Sequence, residues 1–202
     1  MNKGTVFIIS GPSGSGKDTI MSEVLKNKKD IYFSISSITR EMRPGEVNGA
    51  KYNFISREKF EEGLANDAFL EYNIYLGNYY GTPKAPIEEH ISAGHDVLIE
   101  CDVNGAEKIR KKMPEAISIF IMPPSFEVLK KRLSKRGTET EKQISGRLEE
   151  ALNEIRRAKE YDYIIVNDEL SNAVEDFLLV MKSQKFVLKN QKDIIDEVLK
   201  NA

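Results

Sequence analysis

The feature that most limits what this chain can fold into lies near its N-terminus. A short run dense in β-branched residues, Thr5 to Ser10, leads directly into Gly11-Pro12-Ser13-Gly14-Ser15-Gly16-Lys17-Asp18-Thr19. Apolar residues then recur at Ile20, Met21, Val24 and Leu25 with helical spacing. A buried strand, a glycine-rich turn and a helix in that order, with the spacing G-x-x-x-x-G-K, fit a P-loop. Glycines let the backbone curl so that successive N–H groups face phosphate oxygens, and the helix N-terminus adds partial positive charge. Lys17 is placed to reach the β- and γ-phosphates of a nucleotide, so Gly11 to Thr19 are candidate ATP-binding residues. One position departs from the pattern: the Ser or Thr that usually ligates Mg²⁺ is Asp18. A carboxylate can hold Mg²⁺ directly or through water, and it also repels a nearby phosphate; both consequences stay open.

The rest of the chain repeats the alternation. Val97 to Glu100, Ile117 to Met122 and Tyr163 to Val166 read as further buried strands. Helical stripes separate or follow them: Ala106, Ile109 and Met113; Phe126, Leu129 and Leu133, capped by Ser125 and ended by Gly137; and Val174, Phe177, Leu178 and Met181. Thr140 with Gln143 forms a capping-box pattern ahead of a long helix through Ile144, Leu148, Leu152 and Ile155. Strands separated by helices predict an open parallel sheet with helices on both faces, an α/β fold. Residues 33–82 break the rhythm with Asn48-Gly49 and short alternating runs, and predict a small, mixed insertion. Residues 126–157, rich in charge with a thin apolar stripe, predict a helical flap. The core is then 1–32, 83–125 and 158–182. Residues 183–202 form a tail whose Ile194, Ile195, Val198 and Leu199 predict a helix packed on the core or on a partner.

Composition narrows the class. Of 202 residues, 40% are hydrophobic and 31% charged, which suits one folded domain with insertions. The net charge of −2 argues against general nucleic-acid binding, which needs a basic excess. No apolar run approaches the ~18 residues of a membrane span. One cysteine makes no internal disulfide, and with two histidines it builds no four-ligand zinc site, so a cytoplasmic location is expected.

A second constellation supplies an acceptor. Ser34-Ile35-Ser36-Ser37-Ile38-Thr39-Arg40-Glu41-Met42-Arg43-Pro44-Gly45-Glu46 precedes Gly49-Ala50-Lys51-Tyr52-Asn53-Phe54; Phe69-Leu70-Glu71 and Tyr79-Tyr80-Gly81-Thr82-Pro83 come later. Two arginines three apart, with tyrosine hydroxyls, suit a monophosphate dianion, because guanidinium groups meet phosphate oxygens bidentately. Surface ion pairing is the alternative for any two arginines. The run SxxTRxxRxGExxGxxYxF, with FxE and GxxYGTP after it, closely resembles guanylate kinase over residues 4 to about 182. The resemblance implies a P-loop nucleoside monophosphate kinase fold with a GMP-binding insertion and an ATP-side lid. It implies a phosphate clamp of Arg40, Arg43, Tyr52 and Tyr80 in a GMP site that includes Glu46. It also implies guanine readers in Ser36, Glu71, Thr82 and Asp102. Two positions depart from many members, Met42 for proline and Ile38 for threonine, which alters loop stiffness rather than chemistry.

Glu100 and Asp102 alternate with Cys101, which puts both carboxylates on the cleft side and the thiol on the other. Glu100 resembles an acidic residue that helps hold Mg²⁺ through water. In the flap, Arg132 and Arg136 lie four apart on one helix face; with Arg147 they match the family's arginines over the ATP phosphates. Asn167, after the last strand, resembles the ATP-side loop near the adenine. The implied reaction is transfer of the γ-phosphoryl of ATP to GMP or dGMP, with Mg²⁺, in a monomer or homodimer. Two other readings are a catalytically dead protein-binding module of the same fold and a P-loop kinase for another small phosphorylated acceptor. Retention of Lys17, Gly14, Gly16 and the flap arginines speaks against the first. Glu71, Ser36 and Thr82 together speak against the second.

Overall fold

The computed structural model describes residues 3–28, 30–134 and 141–200. The first strand, β1 (Val6–Ser10), is buried along its whole length. Residues 11–16 then turn into helix α1 (Lys17–Asn27). Strand β2 (Ile31–Phe33) opens the next stretch. The second sheet's strands are β3 (Ser36–Ile38), β4 (Tyr52–Phe54), β5 (Phe69–Tyr75) and β6 (Asn78–Pro83), with helix α2 (Arg57–Ala65) between β4 and β5. Helix α3 (Lys84–Ser92), β7 (Asp96–Glu100), α4 (Val103–Lys112) and β8 (Ile117–Met122) follow. Then come α5 (Phe126–Ser134), α6 (Glu141–Arg156), β9 (Tyr163–Val166), α7 (Leu170–Ser183) and α8 (Lys192–Lys200).

Two sheets result. The larger has strand order β2-β7-β1-β8-β9, and the smaller has order β4-β3-β6-β5. In the larger sheet β1 and β2 both pair with β7 in parallel, with Val6 opposite Val97 and Ile31 opposite Asp96. Strand β2 straddles the expected boundary between core and insertion at 32/33, and the sequence did not show it as a strand because three residues carry too little pattern for a period. The smaller sheet is mixed: β3 runs parallel to β4 and antiparallel to β6, and β5 is antiparallel to β6. Helices α2 and α3 have no counterpart in the sequence reading; Ser56 caps α2 by accepting a hydrogen bond from the Lys59 N–H at 3.2 Å.

The chain groups into two compact units, one of residues 3–11 with 30–119, the other of 12–28 with 120–134 and 141–200. In the first, Phe7 to Ile9, Leu98, Ile87 and Ile109 are fully buried, and Phe60 stacks on Phe69 at 4.2 Å within the smaller-sheet region. In the second, Ile20, Val24, Phe177 and Met181 are buried where α1 meets α7. Leu129, Leu133 and Ala151 form the seam between α5 and α6, with Leu148 and Ile155 against it. The cap expected at Ser125 is present, its hydroxyl accepting from the Val128 N–H at 3.2 Å. The stop at Gly137 and the capping box at Thr140 lie outside the described residues. Ile194, Ile195, Val198 and Leu199 of α8 are all exposed. Their amphipathic run forms the expected helix without burying them on the chain's own core. No helix among the described residues is long and apolar enough to cross a membrane.

Candidate active site

In the second unit, the loop after β1 passes through Gly14 and Gly16 with φ of +87° and +89°, a region that L side chains disfavour. A Cβ on Gly16 would sit 2.2 Å from Asn167 Nδ2. Gly14 is enclosed by α5: its Cβ would lie 3.2 Å from both Leu129 Cδ1 and Leu133 Cδ2. The Ser15 N–H donates to the Pro12 carbonyl at 3.0 Å, which closes the turn. The Ser15 hydroxyl is fully buried and has no hydrogen-bond partner among the described residues, an orphan donor inside the loop. Gly16 is the N-cap of α1 and has no side chain to occupy the first-turn amides. Those amides, the orphan hydroxyl and Lys17 at the start of α1 together suit an anion.

The flap arginines contact this loop within the same unit. Arg132 donates from Nη1 to the Ser15 carbonyl at 3.4 Å and from Nη2 to the Asn167 carbonyl at 3.0 Å. Arg147 Nη2 donates to the Ser13 hydroxyl at 2.5 Å. Arg136 lies outside the described residues. Asn167 is buried, and its Nδ2 donates to the Ser15 carbonyl at 2.7 Å. Asp18 sits, exposed, in the first turn of α1.

In the first unit, the connection from β3 to β4 carries Arg40, Arg43 and Glu46. Arg40 makes a forked pair with Glu46, Nη1 to Oε2 at 2.7 Å and Nη2 to Oε1 at 2.6 Å, and Nη1 also donates to the Glu41 carbonyl at 2.8 Å. The Arg43 N–H donates to Glu46 Oε2 at 2.7 Å. The Arg40 hydrogen bonds, then that N–H, hold the Glu46 carboxyl down at about 2, and the pairing raises Arg40 above its ordinary value. Glu46 thus orients the Arg40 guanidinium and fixes the backbone at Arg43. Tyr52 opens β4 where this connection ends, with Ser36 as its register partner, and Tyr80 pairs with Ile38. The Arg40 guanidinium carbon is 5.7 Å from the Tyr52 ring centre. All four sequence-predicted clamp residues, with Glu46, are therefore gathered on one sheet and its connecting loop.

Three of the predicted base readers, Ser36, Glu71 and Thr82, lie on the same sheet, and the fourth, Asp102, lies at the start of α4. Glu71 on β5 is opposite Thr82 on β6, and the Thr82 hydroxyl donates to Glu71 Oε1 at 2.7 Å. Burial pushes the Glu71 carboxyl above its ordinary value, against the lowering effect of the Thr82 hydrogen bond. Gly105, missed in the sequence reading, is what lets α4 come this close: a Cβ there would lie 3.2 Å from Glu71 Oε2 and 3.2 Å from Cys101 Cβ. A glycine inside a helical pattern was the available signal. Asp102 caps α4, its Oδ1 accepting from the Gly105 N–H at 2.7 Å, while its Oδ2 accepts from Asn73 Nδ2 at 3.3 Å. The alternation expected through Glu100, Cys101 and Asp102 does not run its length. Strand β7 ends at Glu100, so the period of two stops there, and burial with nearby Glu71 and Asp102 pushes the thiol well up.

The donor set also tests for Mg²⁺. Among the described residues no group of three or more His, Cys, Asp or Glu side chains could cage a metal. Single carboxylates such as Asp18 and Glu100 instead suit Mg²⁺ held mainly by water and nucleotide phosphates, its usual mode. The residues present fit that role.

Strand, glycine-rich loop and helix on a parallel sheet with covering helices define a P-loop α/β nucleotide-binding protein. The family profile described as guanylate kinase matches residues 3–184. A guanylate kinase of Carboxydothermus hydrogenoformans is 46% identical over 185 residues, covering 92% of this chain and 91% of that one. A guanylate kinase of Lactobacillus acidophilus is 45% identical over 200 residues, covering 98% and 97%. The crystal structure of guanylate kinase from Anaplasma phagocytophilum superposes with a TM-score of 0.74 at 30% identity, covering 93% of this chain and 89% of that chain. The chain belongs to the guanylate kinase family.

Proposed function

We propose that this chain is an ATP:GMP phosphotransferase, moving the γ-phosphoryl of ATP to GMP, or dGMP, to give ADP and GDP. The observation that carries the reading is the half-buried Glu71 carboxylate, held by Thr82 on the sheet whose β3–β4 connection bears the Arg40–Glu46–Arg43 cluster. Guanine presents N1–H and N2–H₂ donors, which a carboxylate accepts, and an O6 acceptor, which a hydroxyl serves. Adenine reverses that edge and would leave Glu71 facing an acceptor, so a hydrogen-bonding site of this kind discriminates by ~10⁴ or more. Ser36 and Asp102 complete the base site in this reading, and Arg40, Arg43, Tyr52 and Tyr80 hold the GMP phosphate. Glu46 acts on that phosphate through Arg40.

The attacking group is already a phosphate oxygen, so no strong base is required. Acceleration comes from alignment and from positive charge around the transferred phosphoryl, supplied by Lys17, Arg132, Arg136 and Arg147. Gly11 to Thr19 cradle the ATP phosphates. Asp18 and Glu100 would hold Mg²⁺ through water, and Mg²⁺ when bound neutralises phosphate charge. Residues 1–32, 83–125 and 158–182 serve as the core, 33–82 as the acceptor insertion and 126–157 as a lid. Lid closure excludes water, which suppresses hydrolysis of ATP. The enzyme works in the cytoplasm, where both nucleotides are found.

The test is ADP formation from ATP and Mg²⁺ with GMP, dGMP, AMP, IMP, CMP, UMP or no acceptor. Turnover with GMP and dGMP far above the rest is expected. Equal turnover with AMP would refute the base assignment, and none with any acceptor would refute the function.

A further inference from the structure

We propose that Asn167 is a positioning residue for the phosphate loop: its carboxamide fixes the orientation of the Ser15–Gly16 peptide and ties it to Arg132. This inference rests on the assignment of residues 11–19 to ATP.

Asn167 follows β9, and its own N–H donates to the Met122 carbonyl at 2.8 Å, so it is anchored at the end of β8. Its side chain is buried and reaches across 152 positions of sequence to the Ser15 carbonyl at 2.7 Å. A carbonyl only accepts, so the amide nitrogen, not the amide oxygen, must face Ser15. Arg132 donates to the same Ser15 carbonyl and to the Asn167 carbonyl, which closes a three-member bracket. The space for it exists because residue 16 has no Cβ: one placed there would lie 2.2 Å from Asn167 Nδ2.

The consequence follows from peptide geometry. In a planar trans peptide the C=O and the following N–H point in opposite directions. With the Ser15 C=O held by Asn167 and Arg132, the Gly16 N–H faces away from both. It then stands with the first-turn amides of α1, where a phosphate would sit. Without the bracket the peptide is free to turn and present a carbonyl, which repels phosphate. Asn167 thus acts through the loop, and Arg132 has a loop-holding contact besides any direct contact with ATP.

Asn167→Asp keeps the shape and removes the donor. Ionised at neutral pH, as an ordinary aspartate is, it repels the Ser15 carbonyl. ADP affinity is measured by calorimetry at pH 8 for wild type and variant, with GMP affinity and thermal melting as controls. The variant is expected to bind ADP about tenfold more weakly than wild type, with GMP affinity unchanged. Asn167→Ala, which neither donates nor repels, should show a smaller deficit, and it stands in if the aspartate variant does not fold. A role in packing alone predicts the reverse order, because alanine opens a cavity and aspartate keeps the shape. Wild-type ADP affinity in either folded variant, or an alanine deficit larger than the aspartate one, overturns the bracket. A wild-type chain that binds no ADP overturns the assignment of the loop itself.

Discussion

Replacing Glu71 by glutamine should move activity and stability in opposite directions. The Glu71 carboxylate has one oxygen engaged with the Thr82 hydroxyl at 2.7 Å, and its other oxygen lies beside Gly105. An ionised carboxylate can accept from both guanine donors; a carboxamide keeps one acceptor and sets an NH₂ against a donor. The loss is one charge-assisted hydrogen bond, about 1.5–3 kcal/mol. At 1.36 kcal/mol per tenfold, kcat/KM for GMP should fall roughly 10- to 150-fold. Stability follows the opposite sign. Burial raises the Glu71 carboxyl above its ordinary 4.5, so the folded chain keeps this proton after the unfolded chain has released it. Stability therefore falls as pH rises from about 4.5 through the raised value, and the loss is complete once the group is ionised. Glutamine does not titrate, so the variant should melt at the same temperature or higher near neutral pH, with a weaker decline across the acid range. The assay pairs steady-state GMP kinetics with melting curves at several pH values. Undiminished kcat/KM for GMP would refute the base-reading role; a clear drop in melting temperature would refute the burial penalty.

Gly16→Ala should weaken ADP binding and destabilise the loop, since a left-handed φ of +89° costs an L residue roughly 1–2 kcal/mol and the new methyl must displace Asn167; calorimetry and melting check both. Glu46→Gln should raise KM for GMP with a smaller change in kcat, because Arg40 loses its charged partner. The Glu46 carboxyl is held down at about 2, so it contributes stability above 4.5 that is lost as pH falls toward 2, and the variant should lack that part of the acid dependence. Gly81→Ala should destabilise by about 1–3 kcal/mol through overpacking, its Cβ falling 2.7 Å from Phe60 Cζ and 3.0 Å from Phe69 Cδ1, as denaturant titration would show.

The phosphate loop and the buried strands were legible because each is local. Residues 5–20 hold a whole strand, turn and helix start, and β1 is buried at every position. The mixed character of 33–82 showed in broken periodicity, but its strands did not resolve: β3 and β4 are three residues each. Helices α2 and α3 were missed because each buries a single apolar residue, Phe60 and Ile87, which leaves no helical stripe to read. Alternation does not fix the side of Cys101 for a backbone reason, since the strand stops one residue earlier.

What the sequence determined by itself was chemistry at fixed short spacing: a loop that can wrap phosphate, two arginines three apart, a carboxylate and a threonine in recognisable company. Tertiary structure decided which of these groups meet. Glu46 became the forked partner of Arg40, Asp102 became a helix cap, and Asn167 closed on Ser15 from 152 residues away. Hydrogen-bond donors and acceptors are short-ranged and directional, so their pairing depends on where the chain returns in space, which no local pattern encodes.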